Sequence, residues 1–405
     1  MKLSLPQLQR LAGAHGDAFY LLDSDRFADN FRKFLAAFRA VYPRTDIAYS
    51  YKTNYIPALC KLVDHLGGKA EVVSPMEYEL AVRLGVRPEN IFFNGPYKQP
   101  PFLRRALLDG ARVNLDSFAE LRVAADLARE CPQRIISLGL RCNFAMDNGE
   151  VSRFGLDVDG PQWQEALHLA AQTSNLIVAG LHCHYPMREL ASFVARTRGM
   201  ASLLRRGDLP PLRYVSFGGG YYGSISDEFA AALGVAPPSW DEYTAVVAGA
   251  MREFFGEEGP HLVVEPGTAL VADAMCLATR VVSLKTVRGR HIATLAASID
   301  DVNPRAAGVQ RPVQVFPTDA GARTERVWDL TGYTCMENDC LYHGYEGSLA
   351  EGDIVVFHHV GSYSVVFKPP FILPALPVID LGGGVERVVK RRENLDDIFA
   401  TYADM

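Results

Sequence analysis

The sequence predicts an α/β protein in which a parallel (β/α)8 TIM barrel is followed by a C-terminal antiparallel β domain, either a β-barrel or a β-sandwich. First, eight strand-like segments alternate with mostly helical patterns over about 220 residues, the length and rhythm of such a barrel. Second, after residue 275 the pattern changes to strands joined by tight turns. Third, 405 residues exceed one average domain. A doubly wound sheet is the main alternative for the first part.

The barrel is assigned to residues 24–272. Ser24 can cap a first helix whose apolar residues recur at helical spacing, and Pro43 stops it. The eight predicted strands are the segment that ends at Lys52 and residues 70–74, 91–93, 112–115, 135–141, 176–184, 214–217 and 261–265.

The β domain is assigned to residues 1–23 together with 273–405. An Arg288-Gly289 turn signal separates two of its strands. The predicted strands are 275–286, 291–297, 353–358 and 364–367. A further strand at 19–22 precedes the first barrel helix, and we expect it to join this domain.

Composition excludes several classes of function. The net charge of −6, with scattered basic residues, argues against a nucleic-acid partner. No stretch approaches the roughly 18 apolar residues that span a bilayer, and no signal peptide is recognised at the start, so we expect a cytoplasmic protein without membrane contact. Seven cysteines without a CxxC pair argue against a disulfide framework and a structural zinc site.

Candidate catalytic residues stand where the predicted barrel strands end, since these ends share one face of a barrel. Lys52 alone is weak, because a lysine at a strand end is more often structural. Three successive glycines can leave backbone amides open to a phosphate, and the GxGxxG pattern that they begin is a weak dinucleotide match. The set is Lys52, Glu71, Ser74, 94–96, Asp116, Ser117, Arg141, His182, His184, Gly218, Gly219, Gly220 and 265–267.

A lysine, a phosphate cradle, a histidine and a carboxylate at separate strand ends match the needs of pyridoxal phosphate. Together these residues resemble the alanine racemase-like, fold-type III decarboxylases that depend on pyridoxal phosphate, which include the diaminopimelate and ornithine decarboxylases. The resemblance extends from about residue 18 to about residue 370 in the order of its motifs. The motifs are 49–54 (Tyr-Ser-Tyr-Lys-Thr-Asn), 71–74, 152–156, 180–184, 218–220, 265–267, 335–339 and 361–363.

The resemblance implies a role for each matching residue that touches the cofactor. Lys52 would form the Schiff base with pyridoxal phosphate, His184 would stack on its ring, and Glu265 would pair with the pyridine nitrogen. The phosphate would rest on Gly218, Gly219 and Gly220, on the backbone of Gly267 and on the hydroxyl of Tyr363.

The resemblance also implies a site shared between two subunits. Cys335 looks like the cysteine that the neighbouring subunit donates to protonate the carbanion, so a homodimer is expected. Asp339 matches the family's acid four residues later, and Arg305, Glu337 and Asp339 are assigned to the substrate. Arg141 is expected to support the barrel or His184 rather than to bind substrate.

The substrate prediction follows from departures from the family pattern. Tyr185-Pro186-Met187 follows His184 where the family has Gly-Ser, and Thr268 replaces an arginine. Met336 stands where the family has a glutamate that meets the substrate. The family's Arg-Pro-x-x-Tyr segment reads Asn303-Pro304-Arg305 here, with Arg305 as a substitute for the arginine. A pocket that loses its bidentate arginine should lose its hold on a distal carboxylate.

We therefore expect decarboxylation of an amino acid or amino-acid conjugate other than diaminopimelate, in polyamine, siderophore or other specialised biosynthesis. Diaminopimelate decarboxylase, an amino-acid racemase of the same fold and a non-catalytic protein that keeps the fold are the alternatives. A metal-dependent hydrolase built on His182 and His184 is disfavoured, because the remaining histidines are poorly placed.

Overall fold

The chain forms two compact units in a computed structural model that describes residues 1–149, 151–302, 308–318, 323–367 and 370–403. The barrel unit comprises residues 30–222 and 237–269. The β unit comprises residues 1–29, 223–236 and 270–405. Among the described helices, none is long and apolar enough to cross a membrane.

The elements are numbered in chain order. The helices are α1 (Leu5–His15), α2 (Ser24–Val41), α3 (Pro57–His65), α4 (Pro75–Arg83), α5 (Pro100–Asp109), α6 (Phe118–Glu130), α7 (Pro161–Gln172), α8 (Leu190–Leu204), α9 (Asp227–Leu233), α10 (Trp240–Phe255), α11 (Thr268–Val271), α12 (Ile299–Val302) and α13 (Leu395–Phe399). The strands are β1 (Ala18–Leu22), β2 (Thr45–Ser50), β3 (Lys69–Val72), β4 (Ile91–Phe93), β5 (Arg112–Leu115), β6 (Ile136–Asn143), β7 (Leu156–Asp157), β8 (Leu176–His182), β9 (Tyr214–Ser216), β10 (His261–Val264), β11 (Met275–Val287), β12 (Arg290–Leu295), β13 (Val313–Phe316), β14 (Thr324–Thr331), β15 (Cys340–Leu349), β16 (Ile354–Phe357), β17 (Val378–Asp380) and β18 (Arg387–Lys390).

Eight parallel strands close into a barrel in the barrel unit. Their order is β5-β4-β3-β2-β10-β9-β8-β6, and pairing of β5 with β6 closes the ring. The short β7 adds to the edge of β6. This closure confirms the predicted barrel and excludes a doubly wound sheet, whose edges would stay open.

Local sequence explains why the barrel elements begin and end where they do. Strands such as β4 consist of apolar residues that are all buried, as expected for a parallel sheet covered by helices. Ser74 and Ser117 cap α4 and α6 by accepting a hydrogen bond from the amide three residues later. Strand β2 ends at Ser50, and Lys52 lies on the 3₁₀ turn that follows.

The β unit contains one mixed sheet. Strand β1 pairs antiparallel with β11 and parallel with β17, which confirms that the N-terminal strand joins this sheet. The order is β15-β14-β12-β11-β1-β17-β18, with β16 on β11 and β13 on β16. The parallel pairings of β12 with β14 and of β1 with β17 make the sheet mostly, not wholly, antiparallel.

The predicted strand at 364–367 is wrong. This segment forms a turn in which the amide of Phe367 bonds to the carbonyl of Ser364 (3.1 Å) and the Ser364 hydroxyl bonds to the carbonyl of Val360. Tyr363, with φ of 60°, breaks the extended path just before it. Helix α1 and strands β14 and β15 were not predicted, although their periodicity is visible in the sequence.

Candidate active site

A cavity of about 240 Å³ lies at the C-terminal ends of the barrel strands. Three of the residues with a predicted cofactor role line it: Lys52, His184 and Glu265. The other lining residues are Glu71, Val73, Asn94, Gly95, Pro96, Arg141, Phe154 and His182. A larger cavity of about 740 Å³, whose lining includes Arg112, Arg213 and His261 at the opposite strand ends, contains none of the predicted site residues.

Glu265 is a buried carboxylate that three side chains hold in place. Ser216 donates to Oε1 at 2.8 Å, Asn94 donates to the same oxygen at 3.0 Å, and His182 Nε2 lies 3.3 Å from Oε2. Burial alone would raise the pKa of this carboxyl, but its contacts with His182 and the charge of Lys52 outweigh burial and lower it. Glu265 is therefore ionised at neutral pH.

Lys52 belongs to a polar network that joins it to Glu265. Its Nζ is bonded to Glu71 Oε2 and lies 3.4 Å from Ser50 Oγ. Asn94 donates from the same side-chain nitrogen to Glu71 (3.1 Å) and to Glu265, and so connects the two acids. The Lys52 side chain is 33% exposed, whereas that of Glu71 is 1% exposed, so the ammonium group is accessible but its partner is fixed.

His184 is a neutral imidazole of defined orientation. The amide of Gly219 donates to Nδ1 at 3.1 Å, which places the ring proton on Nε2. Burial and the positive charges of Arg196, Lys52 and Arg141 hold the pKa of His184 well below its usual value. Arg141 also donates to the His184 carbonyl at 3.3 Å while it pairs with Asp116 at 3.1 Å.

The three glycines after β9 permit close approaches by the other site residues. A Cβ on Gly218 would lie 2.7 Å from the Cβ of His184, and one on Gly219 would lie 2.4 Å from the carbonyl oxygen of Glu265. Gly218 has φ of 69°, in the region that favours glycine. The amides of Gly218 and Gly219 bond to Ser216 and His184, while that of Gly220 has no acceptor among the described residues. The loop thus presents at least one open amide.

Gly267 lies on the neighbouring loop of the barrel unit, after β10. A Cβ on Gly267 would lie 2.1 Å from the Thr53 hydroxyl. The next residue, Thr268, accepts a hydrogen bond from Arg188 at 3.4 Å and begins the four-residue helix α11. The two loops that the sequence analysis assigned to phosphate therefore follow the seventh and eighth strands of the barrel.

The remaining predicted residues lie in the β unit. Cys335 and Glu337 are exposed on the turn between β14 and β15. Asp339 is buried beneath that turn, where it accepts hydrogen bonds from the amides of Ile299 (2.8 Å) and Thr334 (3.0 Å) and from the Thr334 hydroxyl (2.6 Å).

Tyr363 stacks on Phe367 with ring centroids 5.6 Å apart. Arg305 lies outside the described residues.

Sequence reasoning missed Ser216 and the roles of two residues that it had placed at strand ends. Ser216 and Asn94 donate hydrogen bonds to Glu265, and His182 contacts it, whereas the sequence assigned no role at Glu265 to Asn94 and considered only a metal-ligand role for His182. Position at a strand end was the available signal for Asn94 and His182. For Arg196, which lies on a helix and contacts the glycine loop, sequence position offered no signal.

The residues fit pyridoxal phosphate. A lysine, an ionised buried carboxylate and a neutral imidazole line one cavity, and an open glycine amide stands next to the glycine that bonds the imidazole. Such a donor set can hold an aldehyde cofactor through an amine, a protonated ring nitrogen through a carboxylate, and a phosphate through backbone amides.

Comparisons with known proteins agree with this chemistry. Residues 28–272 match the family model described as the pyridoxal-binding domain of pyridoxal-dependent decarboxylases. The chain is 25% identical to the diaminopimelate decarboxylase of Methanothermobacter thermautotrophicus, over 96% of this chain and 92% of that protein. It is 28% identical to the diaminopimelate decarboxylase of Pseudomonas aeruginosa, over 97% and 94%. The crystal structure of diaminopimelate decarboxylase from Helicobacter pylori complexed with L-lysine has the same fold, with a TM-score of 0.82 and 22% identity over 97% of this chain and 98% of that one.

Proposed function

Because the chain belongs to the family of pyridoxal-dependent decarboxylases, whose cofactor is pyridoxal phosphate, we propose that it decarboxylates diaminopimelate. The proposal rests on relatives that carry this name and match at least 96% of the chain. The sequence-based preference for another amino acid finds no support in these comparisons, which favour the diaminopimelate alternative. The single structural observation that supports the chemistry is the cavity lined by Lys52, His184 and Glu265.

Lys52 is the residue we assign to covalent attachment of the cofactor. When bound, pyridoxal phosphate supplies an electron sink for the pair of electrons left by a departing carboxylate. Glu71 Oε2 is bonded to Lys52 Nζ, so it can accept the proton that this nitrogen must lose before it acts as a nucleophile. Asn94 holds Glu71 in position for that transfer.

Glu265 and His184 are assigned to the cofactor ring. An ionised Glu265 would stabilise a proton on the pyridine nitrogen of the bound cofactor, and its fixed hydrogen bonds mean that this carboxylate would need little reorganisation. A neutral His184 can lie flat against an aromatic ring without adding a competing positive charge. Gly218, Gly219, Gly220, Gly267 and Tyr363 are assigned to the phosphate.

We assign the final proton to Cys335 of a second subunit in a homodimer. Exposure of this thiol on its turn supports the assignment, because a donor to another subunit must be accessible. Mixing Lys52→Ala and Cys335→Ala subunits tests it. In a two-fold dimer each mixed dimer carries one intact site, so about a quarter of wild-type activity should return. Absence of recovery, with mixed dimers demonstrated, would contradict a shared site.

Substrate identity is tested by carbon dioxide release from a panel of amino acids. The panel contains the stereoisomers of diaminopimelate, lysine, ornithine, arginine and conjugates with citrate or polyamines. We expect the highest kcat/KM for one diaminopimelate isomer and no activity in the Lys52→Ala control. Higher kcat/KM for another amino acid would contradict the proposal and restore the preference drawn from Arg305 and Thr268. Racemisation without carbon dioxide release would identify a racemase.

Borohydride reduction tests the cofactor attachment separately. The reduced holoenzyme should keep the cofactor on a peptide that contains Lys52, and Lys61, an exposed lysine on α3, is the internal comparison. Label on a different lysine would contradict the assignment of Lys52.

A further inference from the structure

We propose that Arg196 is a positioning residue that supplies the buried positive charge of the phosphate site. The proposal rests on the placement of the cofactor phosphate at the glycine loop, as put forward above. Arg196 lies on α8 and is completely buried, with 0% exposure. Its role goes beyond packing because its head group contacts the glycine loop and the segment after His184, and no acid among the described residues pairs with it.

The guanidinium of Arg196 bridges the glycine loop and the segment that follows His184. From Nη1 it donates to the carbonyls of Gly219 (2.8 Å) and Phe217 (3.3 Å). From Nη2 it donates to the carbonyls of Tyr185 (2.7 Å) and Met187 (2.6 Å). A planar head group with donors in fixed directions can hold two loops in one relative position, which a lysine cannot reproduce.

The partners of Arg196 are all uncharged. Its Nε donates to the Ser192 hydroxyl at 3.3 Å, and the head group stacks on Phe193 with the central carbon 4.0 Å from the ring centroid. Within the described part of the chain, no carboxylate lies within 4.0 Å of it. A buried charge without a counter-ion is costly, and an anion bound nearby would offset part of that cost.

The location of this charge agrees with a phosphate. A Cβ on Gly220 would lie 3.6 Å from Arg196 Nη2, so the head group lies directly against the residue whose amide is open. Gly220 follows β9, the seventh barrel strand, and the short helix α11 follows β10, the eighth. Barrels of this kind commonly bind phosphate with the loops after their seventh and eighth strands and a short additional helix. Arg196 therefore places a permanent cation behind that loop.

The experiment compares cofactors with and without the phosphate. Apoprotein of the wild type, of Arg196→Gln and of Arg198→Gln is titrated with pyridoxal phosphate and with pyridoxal, and binding is followed by absorbance. Arg198 lies on the same helix but is exposed, where it pairs with Asp147, so it is the matched control. We expect Arg196→Gln to lower the affinity for pyridoxal phosphate by at least about tenfold and the affinity for pyridoxal by less than about twofold.

Each outcome decides the matter. If the affinities for both ligands fall equally, Arg196 has only a structural role, and the proposal is overturned. If neither affinity falls, Arg196 is dispensable, and the proposal is overturned as well. If Arg196→Gln does not fold, Arg196→Met, which also removes the charge and keeps an unbranched side chain, is titrated in the same way and judged by the same ratio. A wild-type protein that binds no pyridoxal phosphate would instead contradict the proposed function.

The ³¹P resonance of the bound cofactor is an independent readout that does not depend on turnover. A phosphate monoester loses its second proton near pH 6, and a nearby cation favours the dianion. We expect the ³¹P chemical shift to stay constant from about pH 5.5 to pH 8 in the wild type and to change with pH over this range in Arg196→Gln. Identical titration of both proteins would overturn the proposal.

Discussion

Replacement of Glu265 by glutamine tests the central electrostatic feature of the site. The change removes the charge and keeps the shape. The amide oxygen of glutamine can accept from Ser216 and Asn94, as Oε1 does now, and its NH2 would then face His182. His182 can adapt by moving its proton to Nδ1, a buried atom that has no partner in the described structure. The variant should therefore fold and keep all three hydrogen bonds.

The size of the effect follows from these contacts. Hydrogen bonds to a charged group contribute about 1.5–3 kcal/mol each, and neutral ones about 0.5–1.5 kcal/mol. Weakening of the three bonds thus costs about 3 kcal/mol of folding free energy in total. Because the variant no longer buries a charge, most of this cost is offset, and stability should change by less than about 2 kcal/mol. Activity should fall much more. Loss of a preorganised charge at the reacting group lowers kcat by about 10²–10³-fold, or about 3–4 kcal/mol.

The assay is steady-state release of carbon dioxide by cofactor-saturated enzyme. Asp46→Asn is the matched control, because Asp46 also pairs with a histidine, His261 at 3.1 Å, but on barrel strands at the end remote from the cavity. That variant should keep kcat within about twofold. Retention of kcat within about threefold by Glu265→Gln, or a loss of activity that unfolding explains entirely, would contradict an electrostatic role for Glu265.

Two further predictions concern buried positions around the site. Burial raises the pKa of Glu77 to about 7, so between pH 5 and 7 the folded state holds a proton that the unfolded state releases. The free energy of unfolding should therefore fall as the pH rises through this range, by up to about 3 kcal/mol. Unfolding midpoints of the apoprotein at pH 5 and pH 8 measure this dependence, and Glu77→Gln should remove it. In Gly219→Ala the added Cβ would lie 2.4 Å from the Glu265 carbonyl oxygen, so cofactor affinity should fall by at least about tenfold. The control is Gly249→Ala on α10, where the added Cβ has open space around it and affinity should not change. A flat pH profile in the wild type, or normal affinity in Gly219→Ala, would contradict these expectations.

The barrel was predictable because its signals are local. Each strand is a short apolar run and each helix an amphipathic one, and their alternation leaves few arrangements for the chain. The ends of β2, β8, β9 and β10 then point to Lys52, His184, the glycines and Glu265, since parallel strands of a closed barrel end at one face. The strand predicted at 364–367 failed because an apolar run becomes a strand only where a neighbour completes its hydrogen bonds, and here the bonds are made within the turn.

The barrel and the residues at its strand ends could be predicted from the sequence, because short-range periodicity and residue type carry that information, and the set of strand-end residues indicated the cofactor. Which side chains contact each other in the site could be seen only in the folded chain. Asn94 bridges two acids that are distant in sequence, and Arg196 reaches the glycine loop from a helix whose own pattern shows only a buried face. Such contacts depend on how side chains from separate elements pack against each other, and no local pattern encodes that packing.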